Sequence, residues 1–429
     1  MATSFPLPTT PIRRSARHLI DRAALLLLGA TPVLFALTTW DPTLGNARLQ
    51  GARSFGTPVL FVELAVIAMA VAGGWTVRDA LARLSTAQRV LLAGVIGIAV
   101  YTAFWVAPDR ATAAARSGAN LIHLVFGLAL AGLLARWDGG TRRCLWPAVT
   151  AGTVAYIALL PFYMSAIADW GRHDWTEFGL TVVNVRQLGF YALTGSAAAL
   201  GLAATTDDAR RRLFWTAAAT LCTGLSTWSG TRSSLVAVLG AVAVTALLLP
   251  RLRTRSLLTV TAVSLAGSAL SSLALPMPNE MFGLWRMSAS LAGEDVSSGR
   301  IEIWSETIRW ITGRPLLGYG ESQFRLFVES ANGIYNHPHN SVLQVAFQWG
   351  LVGLACTVAL AWPLLLRARR AAITAPASAA PAFLVLVAML LMSLVEGTLY
   401  HAYPISVVAL SLAYLLTIPA SDPDPYRKL

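Results

Sequence analysis

The densest group of reactive side chains in this 429-residue sequence is His337-Pro338-His339-Asn340. Imidazoles can take or give a proton near neutral pH. Pro338 disfavours helix just before it, and Asn340 is a good helix N-cap. A helix opening there would present free N–H groups and a partial positive charge, which suits a phosphate. Asn340, Gln344 and Gln348 then follow at i, i+4 and i+8, a polar stripe on an otherwise apolar segment. Such a stripe faces protein or a cavity rather than lipid. The plainer reading of the four residues is a helix cap flanked by surface histidines.

Arginines form the second group. Arg232 follows a short Ser229-Gly230-Thr231 turn between two apolar runs. A guanidinium at membrane depth is costly, and a bound anion would offset that cost; snorkelling to headgroups is the alternative. Arg186, just before the sixth apolar run, has the same two readings. Arg300 could face a phosphate, or Glu302 or Glu306 nearby. Glu63 lies inside the second run, where an intramembrane carboxylate is a functional candidate, although its place near one end also fits a solvated position. No Walker A loop, no H-E-x-x-H and no carboxylate cluster of metal-site spacing occurs, so neither a metal nor another cofactor is expected. Three cysteines, Cys144, Cys222 and Cys356, make a disulfide scaffold a poor fit.

The elements that position these groups are membrane helices. Hydrophobic residues are 55% of the chain and charged residues 13%, about half the charge of a soluble protein. Twelve apolar runs approach spanning length: about 23–40, 58–76, 90–107, 118–135, 144–167, 187–206, 213–228, 233–249, 256–275, 340–366, 381–397 and 402–419. Lipid offers the backbone no hydrogen-bond partner, so such spans are helical. The expectation is an all-α polytopic protein, residues 1–429 forming one integral membrane domain of about twelve helices.

Charge sets the orientation. With the N-terminus inside, the inner loops carry 21 of the 33 cations and 7 of the 21 acids, leaving 12 cations and 14 acids outside. This bias predicts both termini in the cytoplasm. The net charge of +12 is spread over short loops, which argues against nucleic acid as a partner. The basic N-terminus runs into an apolar segment of spanning length and reads as a retained first helix. Residues 276–339 form a long outer loop between spans nine and ten. Within it, Ile301, Trp304, Ile308 and Ile311 recur at helical spacing and predict a short amphipathic helix lying on the membrane surface. A second outer loop, 168–186, holds Asp169, Arg172, His173, Asp174 and Glu177.

Three stretches carry a family resemblance: Ser229 to Ser234; SSGRIEIW at 297–304 with PLLGYG at 315–320; and H-N-x9-G-x-x-G, formed by His339, Asn340, Gly350 and Gly353. With twelve apolar runs and a long outer loop before the last motif, the chain resembles the O-antigen ligase and polymerase superfamily. The resemblance implies a GT-C type glycosyltransferase of the bacterial inner membrane, working at the periplasmic face without metal and with inversion. It implies an undecaprenyl-diphosphate-linked glycan donor, a lipid A-core acceptor and surrounding membrane lipids as partners. Carried over by motif, His339 or its neighbour His337 is the base, and Arg232 and Arg300 bind the donor diphosphate. Position adds Arg186 to that set, with Asn340 and Gln344 in support. Moderate size favours a ligase over an O-antigen polymerase or a protein O-oligosaccharyltransferase. A lipid-linked sugar transporter or flippase is the reading from another class, and internal symmetry or mid-span charges would mark it.

Overall fold

The computed structural model describes residues 11–39, 56–167, 169, 185–249, 252, 254–274, 282–283, 299–331 and 335–418. Arg172, His173, Asp174 and Glu177, and Glu294, Asp295, Ser297 and Ser298 of the long loop, lie outside these residues. No strand occurs among the described residues.

Each apolar run coincides with a helix. In chain order these are α1 (Pro11–Thr39), α2 (Thr57–Ala72), α3 (Thr86–Tyr101), α4 (Arg110–Arg136), α5 (Leu145–Ser165), α6 (Leu188–Thr205), α7 (Ala209–Trp228), α8 (Arg232–Leu248), α9 (Thr254–Ala274), α10 (Ser341–Thr374), α11 (Pro376–Met392) and α12 (Ala402–Leu416). Among the described residues, seven helices are long and apolar enough to cross a membrane: α1, α3, α4, α5, α6, α9 and α10. Thus the chain is an all-α membrane protein. Helices α2, α8, α11 and α12 are apolar but shorter, and α7 opens with Arg210, Arg211 and Arg212.

Helix α6 is the hub, packed against α5, α7, α8, α9 and α11. Its sequence, LGFYALTGSAAALGLAAT, is rich in small residues, which let helix backbones approach closely. A side chain at Gly201 would run into the backbone of Pro381 on α11. On the other side of the bundle, Glu63 of α2 is neither solvated nor unpaired. It is 1% exposed, lies 2.7 Å from Nδ1 of His123 on α4, and accepts a hydrogen bond from Ser406 of α12. The carboxylate joins three helices and has hydrogen-bond partners for its oxygens at depth.

Two element boundaries matter for the site. Helix α4 begins at Arg110, eight residues before the apolar run, because Asp109 caps it through the Thr112 N–H. Arg116 therefore sits on a helix rather than in a loop. Helix α11 ends at Met392, before the apolar run does, and residues 393–401 turn inward.

The connection between α9 and α10 builds a small core of its own, with Ile303, Ile311, Tyr319, Phe324 and Phe347 among its members. Its helix, Arg300–Gly313, buries Ile303, Thr307 and Ile311, while Ile301 and Ile308 point outward at 68% and 49% exposure. The expected apolar stripe is thus divided: one face packs on the protein and the other is left for solvent or lipid. The following PLLGYG segment plugs a break in α10. Gly350 has φ 67°, outside helical space, and this frees backbone groups on both sides of it. Tyr319 and Gly320 donate to the Phe347 and Gln348 carbonyls at 2.9 Å, and Leu351 donates to the Pro315 carbonyl at 2.7 Å. A Cβ at Gly350 would strike the Leu316 carbonyl. Gly350→Ala should therefore lose about 1–3 kcal/mol to the left-handed backbone alone, more from the collision, and show a lower unfolding midpoint in detergent.

Candidate functional site

Residues 337–341 are held from three directions. Trp304 Nε1 donates to the Pro338 carbonyl at 2.7 Å, tying the Arg300–Gly313 helix to the loop. Asn340 is the N-cap of α10, its Oδ1 accepting the Val342 and Leu343 N–H groups at 2.9 and 3.0 Å. Its Nδ2 donates to the Leu394 carbonyl at 2.9 Å, and Ser341 N–H to the Ser393 carbonyl at 2.8 Å. The last two bonds fasten the turn after α11 against the histidines.

That turn supplies Glu396, a carboxylate not among the candidate residues read from the sequence. Its Oε2 lies 3.0 Å from His339 Nδ1, and its Oε1 accepts from Arg300 Nη2 at 2.6 Å. Burial pushes the Glu396 pKa up, but the His339 hydrogen bond and charge and the Arg300 guanidinium outweigh it, and the net shift is downward. An ionised Glu396 accepts the Nδ1 proton of His339 and leaves Nε2 as the basic nitrogen. His339 is held with φ 54°, a left-handed conformation uncommon outside glycine. The expected Arg300 partners, Glu302 and Glu306, do not take that place. Glu306 instead accepts the Glu329 and Ser330 N–H groups at 2.8 Å.

His337 differs from His339 in every respect that bears on proton transfer. It is buried, and its Nδ1 accepts the His339 backbone N–H at 3.2 Å. Burial, then the neighbouring His339, His401, Arg116 and Arg300, hold its pKa well below the usual histidine value. His401 is pushed down to about 3, by burial and by Arg116. Both are neutral rings at physiological pH. They pack edge to face, centroids 5.3 Å apart.

Arg116 of α4 is the least expected member. It is 1% exposed, its Cζ lies 4.3 Å over the Tyr400 ring, and none of its three guanidinium nitrogens has a hydrogen-bond partner among the described residues. An ion buried without such partners is expensive, and the aromatic face offsets only part of the cost. Glu321 lies nearby, 1% exposed, accepting from Asn120 Nδ2 at 2.7 Å. Burial raises its pKa to about 7 against the pull of Arg116 and Asn120. Because the folded value lies above the unfolded one, Glu321 contributes stability at low pH that is lost as pH rises through about 7. Thermal unfolding in detergent should show that loss between about pH 5 and 8 in the native chain, and Glu321→Gln should flatten it.

Arg232 and Arg186 adjoin this cluster. Thr231 Oγ1 donates to the Arg186 carbonyl at 3.2 Å, so the two arginines flank one contact. Gln187, the next residue, lies 3.5 Å from His401 Nε2, and His401 packs on His337. Gln344 and Gln348 are buried, as the polar stripe predicted, and Gln344 Oε1 has no partner among the described residues. His337, His339 and Arg300 thus share one polar centre with Glu396, Arg116 and His401, Asn340 caps α10 at its edge, Gln344 is buried one turn further along that helix, and the 186/232 pair sits beside the centre.

Residues 217–358 match the family model described as O-antigen ligase. No curated protein matches the chain. The matched stretch covers about a third of the sequence. It contains the 229–234, 300–320 and 337–353 segments, the last two of which are joined by the Trp304–Pro338 bond and the docking of PLLGYG into the α10 break. The family resemblance of the motifs therefore holds, and O-antigen ligase family members are membrane glycosyltransferase-like enzymes. Glu396, His401, Arg116 and Arg186 lie outside the match. A sign of Glu396 was present: a carboxylate ending an apolar run. The early start of α4, which places Arg116, was encoded by the Asp109 cap.

Proposed function

We propose that the chain is an O-antigen ligase. In this reading it takes a polysaccharide from undecaprenyl diphosphate and joins it to a sugar hydroxyl of lipid A-core at the periplasmic face of the bacterial inner membrane. All twelve helices cross, and both termini are cytoplasmic. The observation that carries this is the Arg300–Glu396–His339 chain beside buried Arg116, whose guanidinium has no hydrogen-bond partner among the described residues.

The acceptor hydroxyl approaches His339 Nε2 and attacks the anomeric carbon from the face opposite the diphosphate. The C–O bond to the diphosphate breaks, and the leaving group departs with the electron pair. The hydroxyl proton passes to His339, whose positive charge Glu396 stabilises. Charge growing on the leaving diphosphate is met by Arg232, Arg186, Arg116 and the free donors of Arg300, with no cation needed. His337 stays neutral and shapes the pocket. Of the two histidines, His339 fits the base because it is partly exposed and has a carboxylate to fix its tautomer.

The testing experiment reconstitutes the full chain with undecaprenyl-diphosphate glycan, in EDTA, and offers lipid A-core, a second glycan carrier or a protein. Extension of lipid A-core is expected; extension only of another acceptor would reassign the chain to polymerase or protein glycosylation. Strict dependence on added Mg²⁺ or Mn²⁺ would contradict the arginine role. Bilayer crossing of the glycan lipid without bond formation would support the flippase reading. In the same assay Arg232→Ala should cost about a hundredfold or more in turnover.

A further inference from the structure

At the end of the bundle opposite the histidines lies a cavity of about 620 Å³. It sits where α5, α7 and α11 begin and α6 and α12 end. Arg143, Arg210 and Arg211 line it, with Trp146, Trp215 and Tyr414. The arginines of the two short segments beside it, 142–143 and 210–212, divide into two kinds. Arg142 donates to the Leu134 carbonyl at 2.8 Å and Arg212 to the Thr206 carbonyl at 3.2 Å, so both serve the fold. The side chains of Arg143, Arg210 and Arg211 make no ion pair or hydrogen bond among the described residues. Asp207 and Asp208 share the α6–α7 connection but do not line the cavity.

Other donors belong to residues that border the same space. Trp146 is 2% exposed, and its Nε1–H has no partner among the described residues. Helix α11 opens with Pro376 and has no side-chain cap, and Ala377 in its first turn lines the cavity. Three like charges gathered in one cavity repel each other, and an anion among them reverses that sign. The remaining walls are apolar, with Leu202, Phe214 and Pro381. A free inorganic ion would use the donors and leave those walls wet.

We propose that this cavity binds the phosphodiester headgroup of an anionic glycerophospholipid from the adjacent leaflet, its acyl chains lying along Phe214 and Pro381. The site is separate from the histidine centre and does not depend on the reaction assigned to it. Basic pockets between helices at a membrane surface have the chemistry for such headgroups, each guanidinium adding to the attraction.

The test uses the purified full chain in detergent. Native mass spectrometry would follow binding of phosphatidylglycerol, phosphatidylcholine with the same acyl chains, and inorganic phosphate. Phosphatidylglycerol should bind at least about tenfold more tightly than phosphatidylcholine, and R143Q/R210Q/R211Q should lose about tenfold to a hundredfold of that affinity. A control, R367Q/R369Q/R370Q, removes the same charge from the α10–α11 region and should bind as the native chain does. Trp146→Phe, which deletes only the indole N–H and trims the ring, should weaken binding severalfold. Unfolding midpoints without lipid establish that each variant is folded. Equal affinity for the two lipids, equal loss in the control, or phosphate binding as tightly as the lipid would overturn the assignment.

Discussion

His339→Ala is expected to lower glycan transfer by about a hundredfold to ten-thousandfold, the range spanned by loss of a general base. Donor affinity should stay close to native, because the diphosphate ligands are arginines on other elements. The fall should therefore appear in kcat and leave the donor KM near its native value. His339 is a partly exposed ring at a left-handed backbone position, so alanine gives up its edge contacts with Tyr335 and His337 but little fully buried packing. Insertion and unfolding midpoint should be near native. His337→Ala should behave differently. That ring is buried against Gly397 and Tyr400, and its loss opens a cavity beside the site. Reduced stability should accompany its loss of activity. Equal kcat for native and His339→Ala protein would remove His339 from the chemistry.

Glu396→Gln should cost nearly as much, by a different route. The native carboxylate accepts from both His339 Nδ1 and Arg300. An amide is nearly the same shape but carries N–H groups. It can donate to Nδ1 and so drive the imidazole proton onto Nε2, where the acceptor hydroxyl must deliver its own. Replacing the carboxylate partner of a catalytic histidine with its amide costs up to about ten-thousandfold where the geometry is otherwise kept. The amide also leaves Arg300 without a neutralising partner, so donor binding should be unchanged or slightly stronger. That combination, slower turnover with retained donor affinity, separates an orienting role from a purely structural one. Glu396→Asp should recover part of the activity, since it keeps the charge but shortens the reach.

Most of the architecture was legible because the membrane restricts it so strongly. Apolar runs gave twelve helices, and the Asn340 cap and the Gln344/Gln348 stripe lie where spacing put them. Less legible were features that depend on tertiary packing. The Leu394-Val395-Glu396 stretch continues an apolar run, and nothing local says that the helix stops at Met392 and turns Glu396 toward Arg300. Arg116 falls between the third and fourth apolar runs, because the Arg110-Ala111-Thr112 start of α4 is too polar to register as a span. The loop helix was placed correctly but its faces were not. Ile303 rather than Ile301 meets the core, where it clusters with Tyr319 and Phe347. The break in α10 explains two of the family-like motifs at once: a glycine that leaves helical space, and the segment that satisfies the backbone groups it frees.

A lipid-borne diphosphate is expected to rest on guanidinium groups within reach of the His339 imidazole. A structure of the full chain with bound undecaprenyl diphosphate measures this most directly. The phosphate oxygens are expected within hydrogen-bond distance of Arg232 and at least one of Arg116, Arg186 and Arg300, with His339 Nε2 open to the space beyond the terminal phosphate. Phosphates seated away from these arginines, or His339 Nε2 closed off from them by protein, would contradict the account.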